Sequence, residues 1–183
     1  RTGIRIEEKT RIGRHAASLV RPNDSIFIDG GTTTSQVARF LPPGMPVTVV
    51  TNALNVMAEL AGKSITVLMT GGMHLEATHS LVGPIAAQSL AGMAFDRIFL
   101  GATGVSVEHG FSNSNVYEAE IKQLAIRQAA ETIIVADRSK FGARALFSFA
   151  PLAGVQRIVT DGPPEGGIAE ACGEAGVKVD IAP

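Results

Sequence analysis

The chain has 183 residues, of which 45% are hydrophobic and 18% are charged, and its formal net charge is −1. This composition excludes a disordered chain and predicts one folded domain with its own core. A net charge near zero excludes a basic nucleic-acid-binding surface over the whole chain. The single cysteine, Cys172, excludes an internal disulfide and favours a reducing, cytoplasmic location. No apolar run approaches the roughly 20 residues of a membrane-spanning helix, so we expect no membrane contact.

Residues 1–22 are predicted to form a helix followed by a turn. Apolar residues recur at i, i+4, i+7 and i+8, which places them on one helix face; they are Ile12, Ala16, Leu19 and Val20. Arginines and lysines occupy many other positions, and Pro22 ends the helix. Two interpretations stay open: a surface helix with a solvated basic face, or a connector that joins residues 23–183 to an absent upstream module. The chain begins at Arg1 rather than methionine, so we expect it to be part of a longer protein.

From Ser25 onward, short apolar runs alternate with helix-like segments. The predicted strands are Ile26–Ile28, Val47–Val50, Ile65–Met69, Ile98–Leu100, Ile133–Val135, Ile158–Val159 and Val177–Ile181. The predicted helices are Thr33–Leu41, Leu54–Leu60, Pro84–Met93, Val116–Ala130 and Glu165–Ala175. Alternation of this kind, with strands that are apolar throughout, predicts an α/β fold of three layers in which helices cover both faces of a mostly parallel sheet.

The first strand leads into Asp29-Gly30-Gly31, followed by hydroxyl residues from Thr32 to Ser35. Adjacent glycines let the backbone approach a ligand closely, and the hydroxyls are predicted to cap a helix. Main-chain N–H groups at the start of that helix are suited to binding a phosphate. The alternative is an ordinary strand–helix turn with a threonine cap. The segment matches neither a P-loop nor a dinucleotide-binding fingerprint.

Small polar residues follow the other strands as well, at the points where those strands end. These corners are Thr51-Asn52, Thr70-Gly71-Gly72, Gly101-Ala102-Thr103-Gly104, Ala136-Asp137-Arg138-Ser139-Lys140 and Thr160-Asp161-Gly162. Because the carboxyl ends of parallel strands meet at one edge of a sheet, the corners predict a ligand cleft there. With one tyrosine and no tryptophan in the chain, a small phosphorylated polyol fits better than a flat apolar ligand. Asp29 and Asp137 are candidates to accept sugar hydroxyls, and Lys140 is a candidate to bind a phosphate or a hydroxyl.

The segment from Asn113 to Lys122 is the second informative stretch. Asn115 is predicted to cap the helix that follows, and Glu118 and Lys122 then lie at i and i+4 on one face. They form either a surface ion pair worth about 0.3–0.5 kcal/mol or a pair that points into the cleft. Scattered histidines and the lack of a G-x-S-x-G segment give no support to a metal site or a nucleophilic serine. We therefore expect no catalytic residue, no metal and no cofactor.

Eight motifs follow one another along the chain: Asp29-Gly30-Gly31-Thr32-Thr33-Thr34, Thr51-Asn52, Gly71-Gly72, Leu81-Val82-Gly83-Pro84, Phe99-Leu100-Gly101-Ala102, Gly110-Phe111, Glu118-Ala119-Glu120-Ile121-Lys122 and Asp137-Arg138-Ser139-Lys140-Phe141-Gly142. Taken in this order, they resemble the C-terminal effector-sensing domain of DeoR-family transcriptional regulators over nearly the whole chain. The segment from Glu7 to Ala17 resembles the family's connector from its DNA-binding module. Gly30 stands where the family often has serine, which removes a hydroxyl from the first loop.

The resemblance implies a fold similar to ribose-5-phosphate isomerase and coenzyme A transferases, and a non-catalytic sensor of a phosphorylated sugar or related metabolite. It implies DNA binding only through an absent amino-terminal helix-turn-helix module, in a homodimer or homotetramer. The expected ligand-binding residues are Asp29, Gly30, Gly31, Thr32, Thr33, Thr34, Thr51, Asn52, Gly71, Gly72, Gly101, Ala102, Thr103, Gly104, Glu118, Lys122, Asp137 and Lys140. The alternative function is a sugar-phosphate isomerase or deaminase on the same scaffold, with a carboxylate as general base.

Overall fold

The structure, a computed structural model, describes residues 5–183. The helices of this range are α1 (Ile6–Ala17), α2 (Thr32–Arg39), α3 (Leu54–Leu60), α4 (Pro84–Ala91), α5 (Val116–Arg127) and α6 (Ile168–Ala175). The strands are β1 (Ser25–Ile28), β2 (Thr48–Thr51), β3 (Thr66–Met69), β4 (Met73–Leu75), β5 (Ser80–Val82), β6 (Phe95–Leu100), β7 (Gly104–Ser106), β8 (Gly110–Asn113), β9 (Ala129–Val135), β10 (Phe147–Ala150), β11 (Arg157–Thr160) and β12 (Lys178–Ile181). None of the described helices is long and apolar enough to cross a bilayer.

Seven strands form one sheet in the order β12-β11-β9-β6-β1-β2-β3, and every pairing in it is parallel. Successive side chains of β1 point to opposite faces, so Phe27 enters one core while Ile26 and Ile28 enter the other. Helices α4, α5 and α6 cover the first core, and α1, α2 and α3 cover the second. The three-layer α/β prediction is confirmed, and all seven predicted strands lie in this sheet.

Two antiparallel elements were not predicted. Strands β4 and β5 form a hairpin, and β7, β8 and β10 form a small separate sheet. Their sequences are short and are interrupted by serine, glycine or histidine, so they lack the apolar runs that indicated the parallel strands. The small sheet also pairs β8 with the distant β10, a non-local contact that periodicity does not reveal.

Helices α2 and α4 end two residues before their predicted ends, and two other helix boundaries were wrong by three residues. Helix α5 ends at Arg127 rather than Ala130, because Ala129 already pairs with Phe95 in the parallel sheet. Helix α6 begins at Ile168 rather than Glu165, because the residues before it, Gly166 and Gly167, have φ angles of 65° and 80°. Glycine adopts this left-handed conformation readily, and it is incompatible with an α-helix.

Helix α1 packs one face against the rest of the domain and exposes residues such as Glu7 and Arg14 on the other. Ile12 and Ala16 are fully buried, as the apolar stripe predicted, and Lys9 is buried as well. A Cβ atom at Gly13 would lie 2.6 Å from the carbonyl carbon of Gln36 in α2, so the two helices meet with almost no space between them. Among the basic residues of this helix Lys9 is buried and Arg14 is exposed, so the predicted basic face is only partly solvated. The role of residues 1–22 as a connector stays a prediction, and residues 1–4 lie outside the described range.

Candidate functional site

The predicted corners meet at the carboxyl edge of the parallel sheet. Ile28 of β1 is level with Thr51 of β2 and Phe99 of β6. Main-chain hydrogen bonds continue this alignment one residue past the strands, from Asp29 N–H to the Phe99 carbonyl at 3.2 Å and from Thr70 N–H to the Thr51 carbonyl at 3.1 Å. The corners that follow β1, β2, β3, β6, β9 and β11 therefore share one edge, as the parallel topology requires.

A buried ion pair lies at the centre of this edge. The Lys122 ammonium donates to Asp29 Oδ2 and, at 2.9 Å, to the Gly101 carbonyl, while Gly101 N–H donates to Asp29 Oδ1 at 3.0 Å. The two charged side chains are only 5% and 4% exposed. Lys122 Nζ also lies 5.2 Å from the centre of the Phe149 ring, within the range of a cation–π contact. Lys122 is thus not half of a solvated surface pair, since its partner is Asp29, 93 residues away.

Burial and pairing act on Asp29 in opposite directions. Removal from water raises the pKa of this carboxyl, while the Lys122 ammonium and the Gly101 N–H group lower it. Each carboxylate oxygen already accepts one hydrogen bond from these partners. Asp29 therefore orients Lys122 and Gly101 at the edge, in addition to its predicted role in accepting sugar hydroxyls.

Glu118 lies one helical turn before Lys122 at the start of α5. Asn115 caps this helix as predicted, accepting from Tyr117 N–H at 2.9 Å and from Glu118 N–H at 3.2 Å. Burial raises the pKa of the Glu118 carboxyl; the Lys122 ammonium lowers it, the Asp29 charge raises it, and a hydrogen bond with the Thr78 side chain lowers it. Glu118 thus belongs electrostatically to the buried pair and also reaches the β4–β5 hairpin.

Glu118→Gln is expected to raise the free energy of unfolding at pH 7, because burial disfavours the ionised carboxylate. The increase should be at most about 1 kcal/mol, since solvent partly screens this half-buried group. The folded-state pKa of Glu118 is above its unfolded value. Its contribution to stability is therefore complete below the unfolded pKa and is lost as the pH rises through the folded pKa. The gain from glutamine should be present at pH 7 and vanish near pH 4, measured by urea denaturation.

The matched control for this change is Glu120→Gln, two residues along the same helix and exposed to solvent. It should alter stability by less than about 0.5 kcal/mol at either pH. A loss of stability in Glu118→Gln at pH 7 would show that attraction to Lys122 outweighs the burial of the carboxylate.

The predicted threonine caps in the first loop were wrong. Gly31, with φ 148° and ψ 166°, is the N-cap of α2, and no side chain among the described residues caps this helix. The hydroxyls donate backwards instead, from Thr34 to the Gly31 carbonyl at 3.2 Å and from Ser35 to the Thr32 carbonyl at 2.9 Å. Any anion at this helix start would consequently be held by main-chain N–H groups, with Thr32 the partly exposed residue of the first turn.

Thr51 and Asn52 make different contacts at the end of β2. The fully buried Thr51 hydroxyl donates to the Ile28 carbonyl at 2.6 Å and accepts from Ala53 N–H at 3.1 Å, which joins β1 to β2. Asn52 donates to the Leu81 carbonyl at 2.9 Å, which holds the β4–β5 hairpin over the edge. Its Oδ1 atom is buried and has no hydrogen-bond partner in the described part of the chain.

Two of the predicted site glycines serve close packing. A Cβ atom at Gly72, where φ is 121°, would lie 2.7 Å from the Val82 carbonyl oxygen, so glycine at this position lets the start of β4 lie close to β5. A Cβ atom at Gly104 would lie 2.7 Å from the Ala143 carbonyl carbon. Steric demands alone account for glycine at both positions.

Asp137 and Lys140 follow β9, two strands away from β1. Strands in a sheet are about 4.8 Å apart, so Asp29 and Asp137 are separated by roughly 10 Å across the edge. Asp137 accepts from the Ser139 N–H group at 2.9 Å and from the Ser139 hydroxyl, and it lies 3.7 Å from Arg5 Nε. Lys140 is partly exposed in a short 3-10 turn. The two aspartates thus lie on the same edge, on either side of the end of β6.

Sequence reasoning missed several polar residues at or near this edge. Thr78 contacts Glu118, Arg5 contacts Asp137, and Asn55 donates to the Gly31 carbonyl at 3.0 Å. Both amide atoms of Asn113 are buried without a hydrogen-bond partner among residues 5–183. Asn113 lay within a segment already singled out by its sequence. No local pattern marked the other three residues, because each reaches the edge from a distant part of the chain.

Comparison with known proteins agrees with this architecture. The family model described as the DeoR C terminal sensor domain matches residues 4–162. The HTH-type transcriptional regulator IolR of Bacillus subtilis is 34% identical over 177 residues, which are 96% of this chain and 70% of that protein. The HTH-type transcriptional regulator GlpR of Haloferax volcanii is 36% identical over 174 residues, or 95% of this chain and 68% of that protein.

Solved structures with the same fold include ribose 5-phosphate isomerase A from Neisseria gonorrhoeae, with a TM-score of 0.55 at 18% identity. It covers 76% of this chain, which spans 55% of that structure. The eIF2B beta subunit from Chaetomium thermophilum has a TM-score of 0.57 at 12% identity, with coverages of 83% and 48%. At such low identities these likenesses show the fold alone. The family match over residues 4–162 and the relatives at 34% and 36% identity show more: this chain belongs to the DeoR family of transcriptional regulators, as its C-terminal effector-sensing domain.

Proposed function

We propose that this domain binds a phosphorylated sugar or a closely related metabolite at the carboxyl edge of its sheet, and that it does so without converting it. The single observation that carries the proposal is the cluster of Asp29, Gly101 and Lys122. This buried charge pair lies beside the loop whose N-cap, Gly31, leaves α2 without a side-chain cap among the described residues.

The phosphate is assigned to the start of α2. Residues Gly30 to Thr34 present main-chain N–H groups and the positive end of the helix dipole, both of which favour an anion. Gly30 suits this position because a Cβ atom there would lie 3.2 Å from Ser80 Cβ and 3.4 Å from Ala53 Cβ. A larger residue would therefore narrow the space between the loop and the hairpin.

The sugar is assigned to the polar groups that continue along the edge from the phosphate. Glu118 and Asp137 offer carboxylate oxygens to hydroxyls, and the buried Oδ1 of Asn52 offers an acceptor without a partner among residues 5–183. Lys122 and Lys140 supply positive charge at either side of this region. Hydroxyl geometry is thereby read by several fixed groups, which suits discrimination between sugars.

An isomerase or deaminase is the second candidate, because carboxylates and a lysine do meet at the edge. A general base needs an oxygen within reach of the proton that it removes. Both oxygens of Asp29 accept hydrogen bonds from Gly101 and Lys122, so Glu118 is the better placed base. Conversion of aldose phosphates into ketose phosphates, abolished by Glu118→Gln, would establish the enzyme and overturn the sensor.

In the complete regulator, occupancy would shift the domain between two arrangements and so change operator binding by an upstream helix-turn-helix module. A ligand can do this only through different affinities for the two arrangements. We propose a homodimer or homotetramer as the frame, since symmetric regulators read paired half-sites. With a net charge of −1, the domain alone should bind DNA poorly.

Calorimetric titration tests the phosphate assignment. The ligands are ribose 5-phosphate, fructose 1-phosphate, fructose 6-phosphate, glucose 6-phosphate and inorganic phosphate. Gly31→Ala should weaken the tightest of these at least about tenfold, because a side chain at φ 148° distorts the loop and would lie 3.2 Å from the Thr34 hydroxyl. The matched control is Gly44→Ala, which also has a positive φ but has open space around it near the amino ends of the strands. Equal affinity in the two variants would remove the phosphate from this loop.

A further inference from the structure

The first turn of α1 lies at the carboxyl edge of the sheet, where we propose that the ligand binds. Arg5 is the N-cap of this helix, and its Nε atom is 3.7 Å from Oδ1 of Asp137. The Arg5 side chain is 36% exposed, whereas that of Asp137 is 1% exposed. A residue of the segment that enters the domain therefore touches a predicted ligand-binding residue directly.

The packing of α1 on α2 places this turn near the proposed phosphate site. The two helices meet at Gly13 and Gln36, and both begin at the carboxyl edge, α1 beside Asp137 and α2 directly after β1. At 1.5 Å per residue, Arg5 lies about 12 Å and Thr32 about 6 Å along their helices from that crossing. Their starts consequently lie on the same side of the molecule.

The contact between Arg5 and Asp137 is suited to exchange. At 3.7 Å it is longer than the about 2.7–2.9 Å of a strong charge-assisted hydrogen bond. Asp137 would keep both of its bonds from Ser139 after Arg5 left. Among residues 5–183, the other ion-pair partner of Arg5 is Glu8, at 3.6 Å on the same helix, and it too is partly exposed. A guanidinium held by two such contacts can instead bind a phosphate through two parallel hydrogen bonds.

We propose that Arg5 is an effector-binding residue that exchanges Asp137 for the anionic group of the bound ligand. This rests on the proposed function and adds a residue and a means of coupling to it. Arg5 has the left-handed φ of 53°, which is uncommon for a residue with a side chain, and it forms the entry to α1. Because Arg5 begins α1, movement of its guanidinium onto a ligand would shift the start of this helix directly, without a rearrangement of the hydrophobic core.

The test compares Arg5→Gln with Arg127→Gln in the 183-residue chain. Arg127 is an exposed arginine at the far end of α5, and its replacement makes the same change in net charge. Titration with the five phosphate ligands named above should show binding at least about tenfold weaker in Arg5→Gln and unchanged in Arg127→Gln. Hydrogen exchange at residues 9–12 should respond to the tightest ligand in the wild type and not in Arg5→Gln.

The outcomes separate this inference from the function on which it rests. If the wild type binds none of the five ligands, both the proposed function and the role of Arg5 are overturned. If the wild type binds and Arg5→Gln binds equally well, the sensor stands and Arg5 is not a ligand-binding residue. A weaker Arg5→Gln whose residues 9–12 still respond to saturating ligand as in the wild type would overturn the coupling.

Discussion

Replacing Lys122 by methionine is expected to lower the free energy of unfolding at pH 7 by about 3–5 kcal/mol, the usual range when one partner of a buried ion pair is removed. The change leaves the buried Asp29 carboxylate without its ammonium partner and removes the hydrogen bond from Lys122 to the Gly101 carbonyl. It also removes the cation next to the Phe149 ring. Urea denaturation followed by circular dichroism measures this loss.

The pH dependence of the Lys122→Met variant identifies the cause. Without the ammonium, burial keeps the pKa of Asp29 above its unfolded value. A carboxyl with a raised folded-state pKa contributes fully below its unfolded pKa and loses that contribution as the pH rises through the folded pKa. The deficit relative to the wild type should thus be largest at pH 7 and shrink towards pH 4.

Two further variants test whether the loss of stability in Lys122→Met comes from the unpaired Asp29 charge. Lys140→Met removes a partly exposed lysine from the same edge and should change stability by less than about 1 kcal/mol. The double variant Asp29→Asn, Lys122→Met removes both charges and should recover part of the loss, since no uncompensated charge remains. A Lys122→Met protein as stable as the wild type at pH 7 would contradict the buried pair.

Gly13→Ala is expected to lower the free energy of unfolding by about 2 kcal/mol, although alanine favours a helix. The helix propensity of alanine contributes about 1 kcal/mol in favour of the variant. Against this, the new Cβ would lie 2.6 Å from the carbonyl carbon of Gln36 and 2.9 Å from its oxygen. Overpacking of this kind costs about 1–3 kcal/mol. The clashing atoms belong to the backbone of α2, which cannot rotate away, so we expect the upper end of that range or slightly more.

Gly173→Ala is the matched control for this substitution. Gly173 is also inside a helix, α6, but a Cβ atom there would meet nothing within 4 Å. Propensity alone then predicts a gain of up to about 1 kcal/mol. Thermal or urea denaturation should therefore move the two variants in opposite directions. A stabilised Gly13→Ala protein would show that α1 does not pack tightly on α2, which would also weaken the case for Arg5 at the ligand edge.

The separate groups of the candidate site differ in how far the sequence could predict them. The Asn115 cap and the i, i+4 spacing of Glu118 and Lys122 are local, and helix geometry alone determines them. The partner of Lys122 is not local. Nothing in the spacing of α5 could choose between Glu118 and Asp29, because Asp29 is brought into contact only when β1 and β6 pair.

The first loop shows a different limit of sequence reasoning. A threonine or serine near a helix start can cap it only if its own backbone is extended, and otherwise its hydroxyl can donate to a carbonyl three or four residues earlier. In this chain Gly31 takes the N-cap position, with a φ of 148°, so Thr34 and Ser35 lie inside the helix and donate backwards. The residue types permitted both outcomes, and the path of the backbone between β1 and α2 decided.

By itself, the sequence determined the parallel α/β architecture, the positions of its seven strands along the chain and the edge at which the predicted ligand-binding corners gather. These follow from apolar periodicity and from turn residues, both of which are local. Only the tertiary structure decided which side chains meet at that edge: Lys122 with Asp29, Thr78 with Glu118, and Arg5 with Asp137. Each of these contacts joins segments that are distant in the chain, and their distances depend on strand order and helix packing.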